Sequence, residues 1–284
     1  MMNRGARMKR EVLRKTVSGF LSFVSALLAL AAAVLLLITA VLSKPVVKTV
    51  MAWGGYADLA HGEIKERLES YAVPGGLPDD FFADGPDREL LKRDIDRAVE
   101  SAYAGTAFTA EEFVLALTDR VEEYAADTGI DTENETAKAA VSQLMSHFET
   151  AYSTYVNSSA VRLFARGFNM IFPLGIVAGA VAAVLACALM WVVHRINPLD
   201  DEVYFSGFLG GTAFMLAFLP AAVLVSGRVA KLGITSGCTY AVVSGVLYML
   251  LFSLLAAAVL FAAAAVIRTA VKRSRLKAIS GQEE

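Results

Sequence analysis

The chain has 284 residues, of which 56% are hydrophobic and 19% are charged, and its mean hydropathy is +0.53. A soluble domain of this size carries about 25% charged residues, so the composition excludes a wholly soluble protein. The high apolar content and a net charge of only −2 exclude intrinsic disorder, and two cysteines are too few for a scaffold held by disulfides.

Four apolar blocks contain most of the hydrophobic residues. Each block exceeds the roughly 20 residues that a helix needs to cross about 30 Å of hydrocarbon. Basic residues precede the first block, as they do in a cleaved signal peptide, but its 26 uncharged residues exceed the roughly 7–15 of a signal sequence. The first block therefore predicts a retained signal-anchor helix. The predicted transmembrane helices are TM1 at 17–43, TM2 at 168–193, TM3 at 205–226 and TM4 at 239–267.

Basic residues at the ends of these blocks predict the orientation. Six Lys and Arg residues precede TM1, and five follow TM4. Because basic residues concentrate on the cytoplasmic side, we expect both termini in the cytoplasm, and an even number of spans is consistent with that. Asp200, Asp201 and Glu202 are atypical of the cytoplasmic side, but acidic residues contribute little to this rule. We expect the protein to lie in the plasma (cell) membrane.

The largest segment outside the predicted spans is 44–167, which has 12 Lys and Arg residues against 22 Asp and Glu residues. Its net charge of −10 disfavours binding to nucleic acid or to anionic headgroups. It has no cysteine, so packing must hold it together. The predicted order is a cytoplasmic basic tail (1–16), TM1 (17–43), an extracytoplasmic helical domain (44–167), TM2 (168–193), a cytoplasmic loop (194–204), TM3 (205–226), an outer loop (227–238), TM4 (239–267) and a cytoplasmic basic tail (268–284).

Apolar residues within 44–167 recur at helical spacing and predict four helices. The first runs over 46–72, and the second follows Pro86, which suits the first turn of a helix. The third runs over 109–129 and the fourth from 135 toward TM2. The predicted fold is an all-α integral membrane protein with four transmembrane helices and an extracytoplasmic antiparallel four-helix bundle inserted between TM1 and TM2. The buried faces of the second and third helices are predicted to contain Leu91, Ile95, Val99, Tyr103, Phe113, Leu117, Val121 and Tyr124.

Local signals refine the ends of these helices. Residues 109–112 and 132–135 each match a capping box, in which a Thr and a Glu satisfy the free amides at a helix start. No proline interrupts 46–71 or 135–172, so we expect TM1 and TM2 to continue beyond the membrane as long helices. Gly54 and Gly55 would allow a kink in the first of them.

The interiors of the predicted spans contain no Asp, Glu, Lys, Arg or His. Proton and ion relays usually need such groups, so this absence disfavours a proton-coupled carrier or pump. Small residues recur at four-residue spacing, with Gly175 and Gly179 in TM2 and Gly207 and Gly211 in TM3. They allow helix backbones to approach closely, and we favour packing within the protein over homodimerisation as their role.

Two of the three histidines are candidates for a ligand site. His61 lies on the apolar face of the first outer helix, and His147 lies beside the apolar stripe of the last. If both helices rise from the membrane, each histidine lies about 25–30 Å above it, so the two could meet and bind a metal or an acidic ligand. The pair lacks the i,i+4 spacing of established helical zinc sites, so we predict no metal and interpret both as ordinary structural histidines.

The sequence contains no recognisable catalytic motif or phosphate-binding loop, so we predict no enzyme activity, no catalytic residue and no cofactor. We expect a non-enzymatic polytopic membrane protein whose acidic extracytoplasmic helical bundle senses, scaffolds or binds a partner. The expected partner is another protein or a second copy of the chain, with no role for nucleic acid. The alternative is a channel or permease component, which with four spans would be oligomeric.

Overall fold

The computed structural model describes residues 4–129, 134–198 and 200–280. Over these residues the chain is all-α, with nine α-helices, one short 3-10 turn at 229–231 and no strand, which confirms the all-α part of the predicted fold class. The helices are α1 (Arg4–Val41), α2 (Lys44–Trp53), α3 (Tyr56–Ala72), α4 (Arg88–Ala104), α5 (Glu111–Thr128), α6 (Glu135–Val156), α7 (Ser159–Ile196), α8 (Asp201–Val225) and α9 (Gly237–Ser280).

Four of these helices are long and apolar enough to cross a membrane. The shortest of them, α8, has 25 residues, which corresponds to about 38 Å of helix against about 30 Å of hydrocarbon. The four predicted spans are thus found as helices, and they indicate a membrane protein. The apolar spans lie within α1, α7, α8 and α9 at Met8–Val41, Ser159–Ile196, Asp201–Val225 and Gly237–Lys272.

The chain divides into two compact units, a span unit and a domain unit. The span unit comprises the described parts of 1–41, 171–231 and 247–284. The domain unit comprises those of 42–170 and 232–246. The second segment of the domain unit includes the start of α9, which the sequence alone did not assign to it.

The core of the domain unit forms where α3 packs against α6, with α4 and α5 also in contact with α6. Ile64 and Leu68 are one helical turn apart on α3 and are fully buried, as are Phe148 and Tyr152 on α6. The Phe113 ring on α5 stacks on Tyr152 with the ring centroids 3.8 Å apart. Burial of each such side chain stabilises the fold by about 1.5–3 kcal/mol.

The predicted faces of α4 and α5 are confirmed at six positions, whereas Tyr103 and Tyr124 are only half-buried. Leu91, Ile95 and Val99 are buried on α4, and α5 buries the side chains that recur on its own stripe. These stripes can be identified from sequence because the helical repeat alone decides which residues share a face. The buried side chains of α5 are Phe113, Leu117, Val121 and Ala125.

The predicted continuation of TM1 as one long helix is wrong. The helix α1 ends at Val41, and α2 begins at Lys44 with Pro45 in its first turn. A second break follows at Gly55, whose φ of 62° is left-handed and favours glycine. The helix that precedes TM2 is also interrupted. It ends as α6 at Val156, and α7 begins at Ser159, nine residues before the predicted start of TM2.

The predicted capping box at 109–112 is also wrong. The N-cap of α5 is Ala110, and the Thr109 hydroxyl donates to the Glu111 carboxylate at 3.1 Å instead of capping an amide. The Glu112 carboxylate forms an ion pair with Arg97 at 2.6 Å, because a guanidinium binds a carboxylate more strongly than a single amide does. Thr132 of the second predicted box lies outside the described residues. The helix that follows, α6, is capped by Asn134, whose side chain accepts from the Thr136 amide at 3.0 Å.

In the span unit the main helix contact joins α1 and α8. Buried hydroxyls connect these helices, because the Ser22 hydroxyl donates to the Tyr204 carbonyl at 2.7 Å and the Thr212 hydroxyl reaches the Ala26 carbonyl at 3.5 Å. Asn197, just after α7, donates to the Ser18 hydroxyl on α1. Such bonds are a usual means of holding apolar helices together in a membrane.

Candidate functional site

A groove of about 360 Å³ lies on the domain unit between α2, the start of α3 and α4. Its floor is apolar, with Met51, Ile95 and Val99 all buried. The turn at Gly55 joins two of its walls, because α2 and α3 contact each other there and both contact α4. The volume falls in the range of sites that take a small molecule or a few side chains of a partner.

The rim of the groove carries charges of both signs. The Lys48 ammonium forms ion pairs with Asp96 at 3.1 Å and with Glu100 at 3.2 Å. Partial burial opposes the charged form of this amine, but the two carboxylates outweigh it and raise the pKa of Lys48. Across the groove, Arg88 pairs with Asp58 at 2.9 Å. An apolar floor with a balanced rim suits an amphipathic segment better than a single small ion.

Two tyrosine hydroxyls connect the helices near this groove: Tyr56 joins α3 to α6, and Tyr152 joins α6 to α4. The Tyr56 hydroxyl donates to the Tyr155 carbonyl, and burial raises the pKa of Tyr56 far above its ordinary value. The Tyr152 hydroxyl donates to the buried Asp94 carboxylate at 2.9 Å. Burial raises the pKa of Asp94, and the bond from Tyr152 and the Arg97 charge only partly oppose this. Both tyrosines therefore stay neutral hydrogen-bond donors.

The structure places the two candidate histidines on different helices, His61 on α3 and His147 on α6. His61 is buried beneath Gly85, where an added Cβ would lie 2.9 Å from its Nε2. The His147 ring stacks on Tyr71 at 5.4 Å, and Tyr71 is ten residues, or about 15 Å of helix, beyond His61. Within the described ranges, no group of three or more His, Cys, Asp or Glu residues is arranged to hold a metal. The two histidines are not brought together at one site.

The four candidate glycines divide into two pairs. Gly175 and Gly179 face α1, where added Cβ atoms would lie 2.9 Å from the Thr39 hydroxyl oxygen and 3.1 Å from Leu36 Cγ. Gly207 and Gly211 differ from this pair. Apart from the nearby backbone of its own helix, an added Cβ at either position would have no atom of the described residues within 4 Å. Only the first pair is thus placed at a close helix contact.

A polar cluster in the domain unit joins Glu63 to the start of α9. The Glu63 carboxylate accepts from the Cys238 amide at 2.9 Å and from the Ser236 hydroxyl at 2.8 Å. A carboxylate at this position satisfies free amides and is stabilised by the positive end of the helix dipole. Sequence reasoning missed this contact because 173 residues separate Glu63 from Ser236. The sequence offered one signal of a polar contact here, because Ser236 is a typical N-cap residue and directly precedes a helix.

A second polar cluster in the span unit surrounds the buried Asp201. Its carboxylate accepts from Arg268 and Lys272, each at 3.3 Å, and lies 2.9 Å from His194 Nδ1. The cations explain why a carboxylate is tolerated there, although the sequence marked it as atypical of its side. A lone buried charge would be costly, and the paired cations offset part of that cost.

Comparisons of the chain with protein-family models, with curated proteins and with solved structures find no match. Its own residues therefore provide the basis for inferring a function. The groove between α2, α3 and α4 combines an apolar floor, a charged rim and room for a ligand, and it is the candidate functional site.

Proposed function

We propose that the protein is a non-enzymatic polytopic membrane protein whose residues 44–167 form an extracytoplasmic domain that binds a protein partner. The topology follows from four apolar helices and from the basic residues that flank the first and last of them. Both termini lie in the cytoplasm, TM1 acts as a signal anchor, and the location is the cell membrane. The domain is an antiparallel bundle of α3, α4, α5 and α6 inserted between TM1 and TM2, and the contacts of α6 with the other three support it.

The observation that carries partner binding is the groove of about 360 Å³. A protein segment could place apolar side chains on Met51, Ile95 and Val99 and could exchange its own charges with the Lys48 and Asp58 ion pairs. Affinity would come from the desolvated floor, and the rim would set orientation and specificity.

An exposed tryptophan adjoins the groove and supports the same proposal. Trp53 follows Ala52 of the groove wall, and 77% of its surface is accessible. Tryptophan is among the residues that most often dominate the energy of protein interfaces. A partner that fills the groove would cover this indole ring as well.

Site-specific photocrosslinking in native membranes tests the proposal. A photoreactive amino acid at the exposed Ala52 should give a discrete adduct, whereas the same residue at the exposed Glu122 of α5 should not. The mass of the adduct distinguishes a second copy of the chain from a different protein. Filling the groove with Ala57→Trp should lower the yield at Ala52. No adduct at Ala52, or equal yields at both positions, would contradict partner binding through this groove.

A further inference from the structure

A second cavity, of about 390 Å³, lies in the span unit between the end of α7, the start of α8 and Arg268 of α9. Its walls combine aromatic and aliphatic side chains with two residues that can bind an anion. The residues that matter here are Met190, Trp191, His194, Phe205, Phe208 and Arg268.

Positive charge exceeds negative charge around this cavity. Arg268 and Lys272 both pair with Asp201, and Lys272 also pairs with Glu202 at 3.3 Å. Arg195 adds a third permanent cation, its guanidinium carbon 5.0 Å from the centre of the Trp191 ring. Three cations thus face two carboxylates, and the neighbouring Asp200 carboxylate pairs with a further cation, Lys15, at 3.9 Å. An anion entering the cavity would meet a net positive charge.

The cationic residues stand at the polar ends of apolar helices. His194 directly follows the apolar run of α7, and Arg268 directly follows that of α9. The Arg268 guanidinium carbon lies 3.6 Å from the centre of the Phe205 ring, and 59% of the Trp191 surface is accessible. Aromatic and basic side chains at such positions are typical of the level of lipid headgroups.

We infer that this cavity binds the headgroup of an anionic phospholipid. Arg268 and His194 contact the phosphate, and Met190 and Phe208 contact the upper part of an acyl chain. Charge complementarity and the apolar walls within a spanning helix favour a lipid over a soluble anion. The inference uses the membrane-spanning part of the proposed function and does not depend on partner binding by the domain unit.

Quenching of Trp191 fluorescence by brominated lipids tests the inference. The chain has two tryptophans, so the full-length Trp53→Phe variant leaves Trp191 as the single reporter. The protein is reconstituted in mixed phosphatidylcholine and phosphatidylglycerol bilayers in which one lipid is brominated near the glycerol end. We expect phosphatidylglycerol to be enriched near Trp191 about fivefold over its mole fraction. Quenching in proportion to mole fraction would overturn the proposal.

Matched variants locate the site. Arg268→Gln should reduce the enrichment to the mole fraction, whereas Arg228→Gln, which removes an exposed arginine outside the cavity, should leave it unchanged. If Arg268→Gln does not fold, His194→Gln provides a second test and should lower the enrichment in part. Unchanged enrichment in a folded Arg268 or His194 variant contradicts the assignment. Inorganic phosphate should not displace the lipid, and full displacement would show a site for a free anion instead.

Discussion

The domain unit buries large side chains, whereas the span unit buries mainly small ones. Phe148 and Tyr152 are fully buried in the first, but the buried residues of α1 include Ala26, Ala29 and Ser25. In water, removal of large apolar surfaces drives folding. In lipid that gain is absent, so helices associate by close backbone approach and by hydrogen bonds between them. The same chain thus uses two kinds of packing, each suited to its proposed solvent.

The largest effect is expected from truncating the core of the domain unit. Phe148→Ala would leave a cavity beside Phe82, whose ring meets that of Phe148 at 4.9 Å, and should destabilise the unit by about 3–5 kcal/mol. Hydrogen exchange of α3 and α6 amides in the full-length protein measures the loss. Leu115→Ala, at an exposed position of α5, should cost less than about 0.5 kcal/mol. Equal effects of the two changes would mean that α6 is not central to the core.

Loss of the Glu63 carboxylate should have the next largest effect. Glu63→Ala would remove the acceptor for the Cys238 amide and the Ser236 hydroxyl, at a cost of about 1.5–3 kcal/mol. Amide exchange at the first turn of α9 should accelerate accordingly. Glu63→Gln retains one acceptor and should restore part of the protection. If the exchange rate does not change in the Ala variant, Glu63 does not cap this helix.

In the span unit, overpacking should matter more than truncation. Gly179→Leu would press on Leu36, which an added Cβ already approaches to 3.1 Å, and should cost about 1–3 kcal/mol. Pulsed EPR between labels at Leu27 and Val181 would show α1 and α7 moving apart. Gly207→Leu serves as the control. Apart from the nearby backbone of its own helix, an added Cβ at Gly207 has no atom of the described residues within 4 Å. An unchanged distance in a folded Gly179 variant would show that these helices need no small residue.

The pH dependence of stability separates the contribution of the buried Asp94 carboxylate from that of the apolar side chains around it. Burial raises the pKa of Asp94, so ionisation is harder in the folded state than in the unfolded state. The contribution of Asp94 to stability is therefore greatest below the unfolded pKa and is lost as pH rises through the folded pKa. Asp94→Asn keeps an acceptor for Tyr152 and should flatten the decline in stability as pH rises above the ordinary pKa of an aspartate, about 4. A profile as steep as that of the native protein would assign the titration to another group.

The smallest effect is expected from a single hydroxyl of the span unit. Ser22→Ala removes the bond to the Tyr204 carbonyl between α1 and α8 and should cost about 0.6 kcal/mol. Ser25→Ala removes a bond within α1, to the Leu21 carbonyl, and should cost less. Unfolding of the full-length protein in mixed micelles compares the two. A loss of several kcal/mol for Ser22 would show that hydroxyls, not small residues, hold the spans together.

The sequence by itself determined the helical class, the four apolar helices and the inward faces of α4 and α5. Leu91, Ile95 and Val99 share a face because the helical repeat places them there, whatever lies opposite. A run of more than 20 apolar residues likewise indicates a candidate span without knowledge of its neighbours. These features depend on residues close together in the chain, so local pattern is enough.

Only the tertiary structure decided which polar groups meet. Glu112 pairs with Arg97 of another helix instead of capping its own, and Glu63 reaches the amide of Cys238 across 175 residues of chain. His61 lies beneath Gly85, whereas His147 of α6 stacks on Tyr71, so the two candidate histidines do not meet, although the sequence allowed it. A charged or polar group takes the partner that folding brings within about 3 Å, and no local pattern contains that distance.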